Sequence, residues 1–391
     1  MTQPLWMLPQ GVEEILPPTA ARVEALRRKL LDLHARWGYD IVYPPIVEHL
    51  ESLLTGTGHE LDQQTFKLID PLSGRTLGVH ADMTPQVARI DASRLQRAGT
   101  VRLSYAGTVL RTRSTGIGES RSPMQLGAEL FGHQGAQSDV EIVSLMLASL
   151  AAAGAESVQL DLGHVGVYRT LVQGIGLDAS DDAQLFDIMQ RKSRPELTEF
   201  VRAKALPAKP AQAILALIGL AGDASVISVA REQVASAGGD VQRALDELET
   251  LVASLRERYP SLPVLVDLCE LRGYRYHTGV VFSAYRQGGL NELARGGRYD
   301  DVGADFGRAR PATGFSCDLR QLVSLTEQTD SKPLGILAPD NSDPSLWQAV
   351  TALREQGERV VVAFNPEDSA ADLGCDRELV LHDGVWQTQK I

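Results

Sequence analysis

Three clusters in the sequence combine residue types and spacings that could act on a small polar ligand. The first is Asp82-Met83-Thr84-Pro85-Gln86-Val87-Ala88-Arg89, a polar entrance to a helix. An aspartate there either caps the helix or offers its carboxylate to a ligand, and spacing alone allows both. The second runs from Arg111 to Gln125 and ends in Gln125-Leu126-Gly127-Ala128-Glu129. Alternate strand residues point the same way, so Gln125, Gly127 and Glu129 share a face, with the glycine leaving space between two polar side chains. A buried Gln and Glu need hydrogen-bond partners, so this strand is either a solvated edge or a pocket wall. The third, Leu271-Arg272-Gly273-Tyr274-Arg275-Tyr276-His277-Thr278-Gly279, is dense in hydrogen-bonding groups. Together the clusters describe a carboxylate-lined pocket with an arginine, suited to a zwitterion carrying a basic side chain.

Other chemistries lack their residues. No P-loop, HExxH or GxSxG pattern occurs, and Gly116-Ile117-Gly118 lacks the third glycine of a dinucleotide loop and reads as a loop only. Cys269, Cys317 and Cys375 are far apart and form no CxxC pair, so they read as small buried hydrophobes rather than a zinc site or a disulfide framework. No metal and no cofactor is expected. The net charge of −12 argues against a nucleic-acid partner, because an acidic chain repels a phosphate backbone. Met1 to Leu8 carries no basic n-region, and the longest apolar stretches, Leu145–Ala155 and Ala213–Ala221, fall short of the roughly 20 residues that span a bilayer. A cytoplasmic protein without a membrane partner is the expectation.

The elements that position these clusters can be read from periodicity. Val23, Leu26, Leu30, Leu33 and Trp37 recur at helical spacing until Gly38 stops them. Tyr39–Val42 reads as a strand. Phe66–Ile69 and Arg75–Val79 flank Asp70-Pro71-Leu72-Ser73-Gly74 as a hairpin. Thr84–Leu95 reads as a helix, Val101–Leu110 and Met124–Phe131 as strands, Ser138–Ala153 as a helix and Val158–Leu162 as a strand. The texture changes over about 178–260, where stripes such as Leu245, Leu248, Val252 and Leu255 predict a helical insertion. Strand character returns at Val264–Leu268 and Val280–Tyr285, and Gly296-Gly297 reads as a glycine-rich turn. Ser324–Pro333 is polar and aperiodic, a linker. Beyond it Leu334–Leu337, Val360–Phe364 and Glu378–Leu381 predict strands around a helix at Leu346–Gln356, a small α/β unit over 331–391.

These residues resemble the histidyl-tRNA synthetase family over residues 1–325. Gly38-Tyr39 through Pro45 is similar to the family's first motif, which builds its dimer interface. Thr65-Phe66-Lys67, Asp70 and Gly74-Arg75 are similar to its hairpin. Asp82, Thr84 and Arg89 stand where the family has Glu, Thr and Arg in its amino-acid-binding segment. Arg111, Gly118 and Arg121, then Gln125, Gly127, Glu129 and Gly132, resemble the second motif with unbroken spacing. Arg272-Gly273, Tyr276 and Thr278-Gly279 resemble the histidine-specific segment, and Gly296-Gly297-Arg298-Tyr299-Asp300 matches the GGRYD segment. The resemblance implies an α+β fold of class II synthetase type: a mostly antiparallel sheet flanked by helices, with a helical insertion and a small C-terminal α/β unit.

The departures carry equal weight. Arg113 stands where the family's glutamate meets the adenine end of ATP, a reversed charge. The third motif reads Gly314-Phe315-Ser316-Cys317-Asp318-Leu319-Arg320-Gln321, with Asp318 for a glycine and Gln321 for the arginine of the ATP phosphates. Losing a guanidinium fork and adding an anion each oppose ATP binding. Arg320 is one step away and does not simply substitute. Arg275 and His277 replace an acid and a tyrosine in the histidine segment, and the tail is shorter than the family's anticodon-binding domain.

In this combination the chain resembles the regulatory paralogues of that family, which serve short-form ATP phosphoribosyltransferase, the first step of histidine biosynthesis. The resemblance implies no catalytic residue, activation of the catalytic subunit within a hetero-octamer, self-association as a homodimer, and feedback inhibition by free histidine. It implies a pocket holding histidine by Asp82, Thr84, Arg111, Gln125, Glu129 and Arg272, the last toward the ligand's carboxylate. Tyr276, His277 and Tyr299 would close it. The competing readings are an active histidine–tRNA ligase with a divergent ATP site and a ligase for another acceptor. Both require ATP.

Overall fold

The computed structural model describes residues 7–56, 59–114, 120–173, 175–234, 238–274, 276–289, 291–325, 334–365 and 367–391. Gly116–Gly118, Arg275 and most of the expected linker lie outside these residues. Two compact units divide the chain, Met1–Thr326 and Glu327–Ile391.

In the larger unit the strands are β1 (Asp40–Ile41), β2 (Val47–His49), β3 (Phe66–Ile69), β4 (Thr76–Val79), β5 (Val101–Thr108), β6 (Met124–Phe131), β7 (Val158–His164), β8 (Ala221–Asp223), β9 (Val264–Asp267), β10 (Val280–Arg286), β11 (Glu292–Arg298) and β12 (Ala312–Asp318). Among the described residues nine of them form one sheet, in the order β1-β5-β6-β12-β11-β10-β7-β9-β8. All neighbours are antiparallel except β1 with β5 and β7 with β9. β2, β4 and β3 make a separate small sheet that contains the expected hairpin.

Cross-strand partners share a face, so the register lays out the sheet in rows. One row is Leu103, Glu129, Gly314, Gly297, Val281 and Gly163. The next is Tyr105, Gly127, Ser316, Arg295, Ser283 and Asp161. The other face carries Leu126, Ala128, Leu130, Phe315, Phe282 and Leu162, buried in the main core with the helices Thr19–Arg36, Ala136–Ala152 and Gly239–Arg258. Both β6 and β12 are central, so the solvated-edge reading of Gln125 and Glu129 fails: Gln125 is 4% exposed and Glu129 1%.

Three expectations need correction. Gly296 and Gly297 are not a turn but lie inside β11. A Cβ at Gly296 would strike the Gly314 carbonyl and the Phe282 ring, and one at Gly297 would come within 2.7 Å of the His277 ring. Glycine within a strand here marks close approach of neighbouring groups rather than a reversal. The helix from Thr84 is α-helical only to Arg89 and continues as π-helix over Ile90–Leu95, where buried Asp91 pairs with Arg310 at 2.9 Å. The segment 178–260 is helical from Ala179 onward but also holds β8, which extends the main sheet through β9.

The smaller unit comprises β13 (Gly335–Pro339), the helix Pro344–Glu355, β14 (Val360–Ala363), β15 (Cys375–His382) and β16 (Val385–Lys390). Its sheet runs β14-β13-β15-β16, parallel except for the last pair. Asp343 caps the helix by accepting the Ser345 N–H at 2.8 Å. Almost all of β16 is exposed, which is why no apolar alternation announces it.

Candidate functional site

Glu129 sits near the middle of the polar face, on β6 beside Gly314 of β12. A Cβ at Gly314 would fall on the Glu129 carboxylate, and one at Gly127 would fall on the Tyr105 hydroxyl. The glycine row therefore lets two polar side chains lie flat on the sheet. Glu129 accepts from the Tyr105 hydroxyl at 2.9 Å and from the Tyr299 hydroxyl at 2.5 Å. Thr84 Oγ1 lies 3.0 Å from the same Tyr105 hydroxyl. Burial raises the Glu129 carboxyl to about 8 even though both tyrosines and Thr84 pull the other way, and the Asp82 charge adds to the rise.

Asp82 lies just before the helix from Thr84 and ties its first turn to β6. Its Oδ1 accepts the Thr84 N–H at 2.9 Å, at the start of the helix, and also the Gln125 amide at 2.9 Å. Gln125 Oε1 accepts the Met83 N–H at 3.0 Å, which fixes the amide's orientation. Arg111 Nε donates to the Ala81 carbonyl at 3.3 Å, one residue from Asp82.

The Tyr276 ring stacks on Tyr299 at 5.1 Å, and His277 meets Tyr276 edge-on at 5.5 Å. The His277 ring lies between Gly273 and Gly297, where a Cβ on either would collide with it. Burial, with Arg295 adding to it, lowers the His277 ring to about 4, so the imidazole is neutral at physiological pH. Among the described residues the Tyr276 hydroxyl and His277 Nδ1 are buried without a hydrogen-bond partner. Each such orphan costs about 1–3 kcal/mol, which a polar ligand group meeting it would offset. Arg169 pins this wall by donating to the carbonyls of Tyr274 at 3.1 Å and His277 at 2.8 Å.

The structure thus brings together Asp82, Thr84, Gln125, Glu129, Tyr276, His277 and Tyr299, with Arg111 bonded to the backbone next to Asp82. Arg272 belongs to a second cluster, bonded to Glu270, Glu292 and Tyr285. Tyr105, which joins Thr84 to Glu129, was missed by sequence reasoning. Its signal exists only in the register, where it stands opposite Gly127. Arg298 of the GGRYD segment works from the other face, where it holds Asp139 at 2.9 Å and Ser138 at 2.8 Å and so anchors the strand end that carries Tyr299.

At the far end of β6 and β12 the residues that depart from the synthetase pattern are engaged within the chain. Asp318 Oδ1 accepts the N–H groups of Met124 at 3.1 Å and Arg320 at 3.0 Å. Burial holds its carboxyl above the usual range, opposed by those bonds and by the charges of Arg320 and Arg111. Arg320 and Gln321 lie on the helix Leu319–Leu325 rather than on a strand. Arg320 pairs with Glu13 at 2.6 Å and Gln321 donates to the Glu292 carbonyl at 2.8 Å. Arg113 is exposed and donates to Gln63 at 2.7 Å.

Comparison with known proteins bears on the fold and the family. Residues 11–322 match the family described as histidyl-tRNA synthetase, and residues 332–389 match the ATP phosphoribosyltransferase subunit HisZ C-terminal domain. The chain is 55% identical to the ATP phosphoribosyltransferase regulatory subunit of Thioalkalivibrio sulfidiphilus, over 96% of this chain and 95% of that one. It is 52% identical to the regulatory subunit of Pseudomonas fluorescens Pf-5, over 98% and 97%. Among solved structures, an ATP phosphoribosyltransferase regulatory subunit/histidyl-tRNA synthetase from Bacillus halodurans aligns with a TM-score of 0.82 at 29% identity, covering 95% of this chain and 97% of that one. A histidyl-tRNA synthetase from Nostoc shares the fold, with a TM-score of 0.77 at 18% identity, over 97% and 92%. Matched along both of its units, the chain belongs to the ATP phosphoribosyltransferase regulatory subunit family.

Proposed function

We propose that this chain is the histidine-sensing regulatory subunit of short-form ATP phosphoribosyltransferase, with turnover residing in the catalytic subunit it joins. The observation that carries the sensing role is the buried Glu129, ringed by Tyr105, Thr84 and Tyr299 and adjoined by Tyr276, whose hydroxyl has no partner among the described residues. A ligand with ring N–H groups and an ammonium gives such a carboxyl the charge partner that burial denies it. Asp82 and Gln125 would take the ammonium, Glu129 the imidazole, and Tyr276, His277 and Tyr299 would enclose the ring. Arg272 would answer the ligand's carboxylate. Histidine then shifts the complex by its differential affinity for two states, a coupling of about 1–3 kcal/mol.

The finer parts of this reading are a cytoplasmic hetero-octamer with the catalytic subunit, a homodimer of this chain through the first-motif segment, and no nucleic-acid or membrane partner. Among the described residues no helix is long and apolar enough to cross a membrane, and no group of His, Cys, Asp or Glu is arranged to hold a metal ion. The test mixes the purified chain with a short-form phosphoribosyltransferase and follows phosphoribosyl-ATP formation with and without histidine. Stimulation that histidine reverses is expected. An unchanged rate with no histidine effect overturns the reading, and pyrophosphate exchange by this chain alone would instead identify a histidine–tRNA ligase.

A further inference from the structure

Arg272 is the cation that the proposed site needs for a ligand's carboxylate, yet in the structure its guanidinium is already bound to carboxylates of its own chain. Nε donates to Glu270 Oε1 at 3.0 Å and Nη2 to Glu270 Oε2 at 2.8 Å, a two-point pairing. Nη1 donates to Glu292 Oε2 at 2.9 Å, and Nη2 also reaches the Tyr285 hydroxyl at 2.7 Å. A guanidinium has five N–H donors, and four are used here. Glu292 is held in turn by Ser283 at 2.9 Å and by Arg295 at 3.6 Å, so its carboxylate has anchors besides Arg272.

The cluster borders the pocket. Arg272 precedes Gly273, on which the His277 ring rests, and Ser283 and Tyr285 stand on the polar face of the sheet, one and two rows along from the row of Glu129. The Arg272 side chain is 46% exposed while those of Glu270 and Glu292 are 23% and 19% exposed. The glutamates are thus the anchored partners and the arginine is the reachable one. Hydrogen bonding to Glu270 raises Arg272 further above its ordinary range. Burial works against Glu270, but Arg272 still keeps its carboxyl below the usual value.

We propose that Glu270 is a positioning residue that acts as an internal competitor for Arg272, so that a ligand's carboxylate must take over the bidentate place Glu270 occupies. Two carboxylates and one guanidinium cannot all pair bidentately through the same Nε–Nη2 edge. The glutamate therefore weakens carboxylate binding and sets the ligand concentration at which the pocket fills, while Glu292 keeps the arginine in reach. This rests on the histidine reading above and adds the element that tunes it.

The test measures calorimetric binding of L-histidine and of L-histidinol, which keeps the ring and ammonium but lacks the carboxylate, to the full chain and its variants. Glu270→Gln should bind histidine about threefold tighter, the size of a half-exposed ion pair, and leave histidinol unchanged. Arg272→Gln should weaken histidine at least about tenfold and affect histidinol little. Arg272→Lys, which keeps the charge without the fork, should fall between them and covers the case in which the glutamine variant does not fold. A purely structural Glu270 would shift both ligands together and in the weaker direction, which would overturn the proposal. An unchanged histidine-to-histidinol ratio in all variants overturns it too while leaving the histidine reading standing. Absence of histidine binding to the unaltered chain overturns both.

Discussion

The two ends of the strand pair β6–β12 differ in how their polar groups are satisfied. At the Glu129–Gly314 end a carboxyl is buried where its charge is unwelcome, near a tyrosine hydroxyl with no partner among the described residues. At the Gln125–Asp318 end, where the family resemblance places ATP, Asp318, Arg320 and Gln321 are bonded to neighbours from their own chain. Buried polar groups that lack partners are costly, and a fold keeps them where something else completes them. The contrast supports the proposal that the amino-acid end is the one that takes a ligand.

The largest effect should come from removing the open end's charge. Glu129→Ala should weaken histidine binding by about 2–5 kcal/mol, since a buried hydrogen-bonded partner of a cation is lost. Calorimetry measures it directly, and histidine inhibition of the assembled enzyme should disappear with it. Retained inhibition would place the ligand elsewhere and erase the distinction between the two ends.

The next effect is on stability against pH. Glu129 has a folded value of about 8 against an ordinary 4.5. The folded state therefore keeps a proton that the unfolded chain releases, so its contribution is greatest below pH 4.5 and declines as pH rises to about 8. The full swing is on the order of 5 kcal/mol. His277 and His34, lowered to about 4 by burial, slope the other way between about pH 4 and 6.5. Urea unfolding without ligand at pH 5, 6.5 and 8 should therefore show the unaltered chain losing stability relative to Glu129→Gln as pH rises. Parallel curves would mean that the carboxyl is solvated.

A third, smaller effect tests the glycine row. Gly314→Ala places a methyl on the Glu129 carboxylate. The overpacking should destabilise the chain by about 1–3 kcal/mol and weaken histidine binding with it. Gly384→Ala provides the control for a glycine away from the row, since its φ of +80° brings backbone strain but nothing lies within 4 Å. Loss of stability with histidine affinity intact would separate Gly314 from the site.

How far these features were legible from sequence follows from where their causes lie. Period-two alternation gave β6 its bounds and put Gln125 and Glu129 on one face, because that pattern is local. It could not say that Gly296 and Gly297 belong to a strand. Their reason is the Gly314 backbone and the His277 ring, both distant in the chain. Tyr105 was invisible as a site residue for the same reason. Arg272 was found by its motif, but its partners Glu270 and Glu292 were not, since only the fold brings Glu292 to it. The departures at Arg113, Asp318 and Gln321 were legible only against the family pattern. Their closure onto Gln63, Met124 and Glu292 required coordinates.

The smallest predicted effect tests whether the two ends are separate. Asp318 pairs in register with Gln125, so a coupled site would transmit a change from one to the other. Yet the Gln125 amide is committed to Asp82 and Met83, and the Asp318 bonds recorded are to the backbones of Met124 and Arg320. They share no hydrogen-bond partner among the described residues, and the link left between them is the charge of Arg111 acting on Asp318. The double variant Asp318→Gly with Gln321→Arg, which returns these two positions to the synthetase residues, should therefore leave histidine affinity within about twofold. A tenfold change in that affinity would show that the closed end still shapes the open one, and the two would have to be treated as a single site.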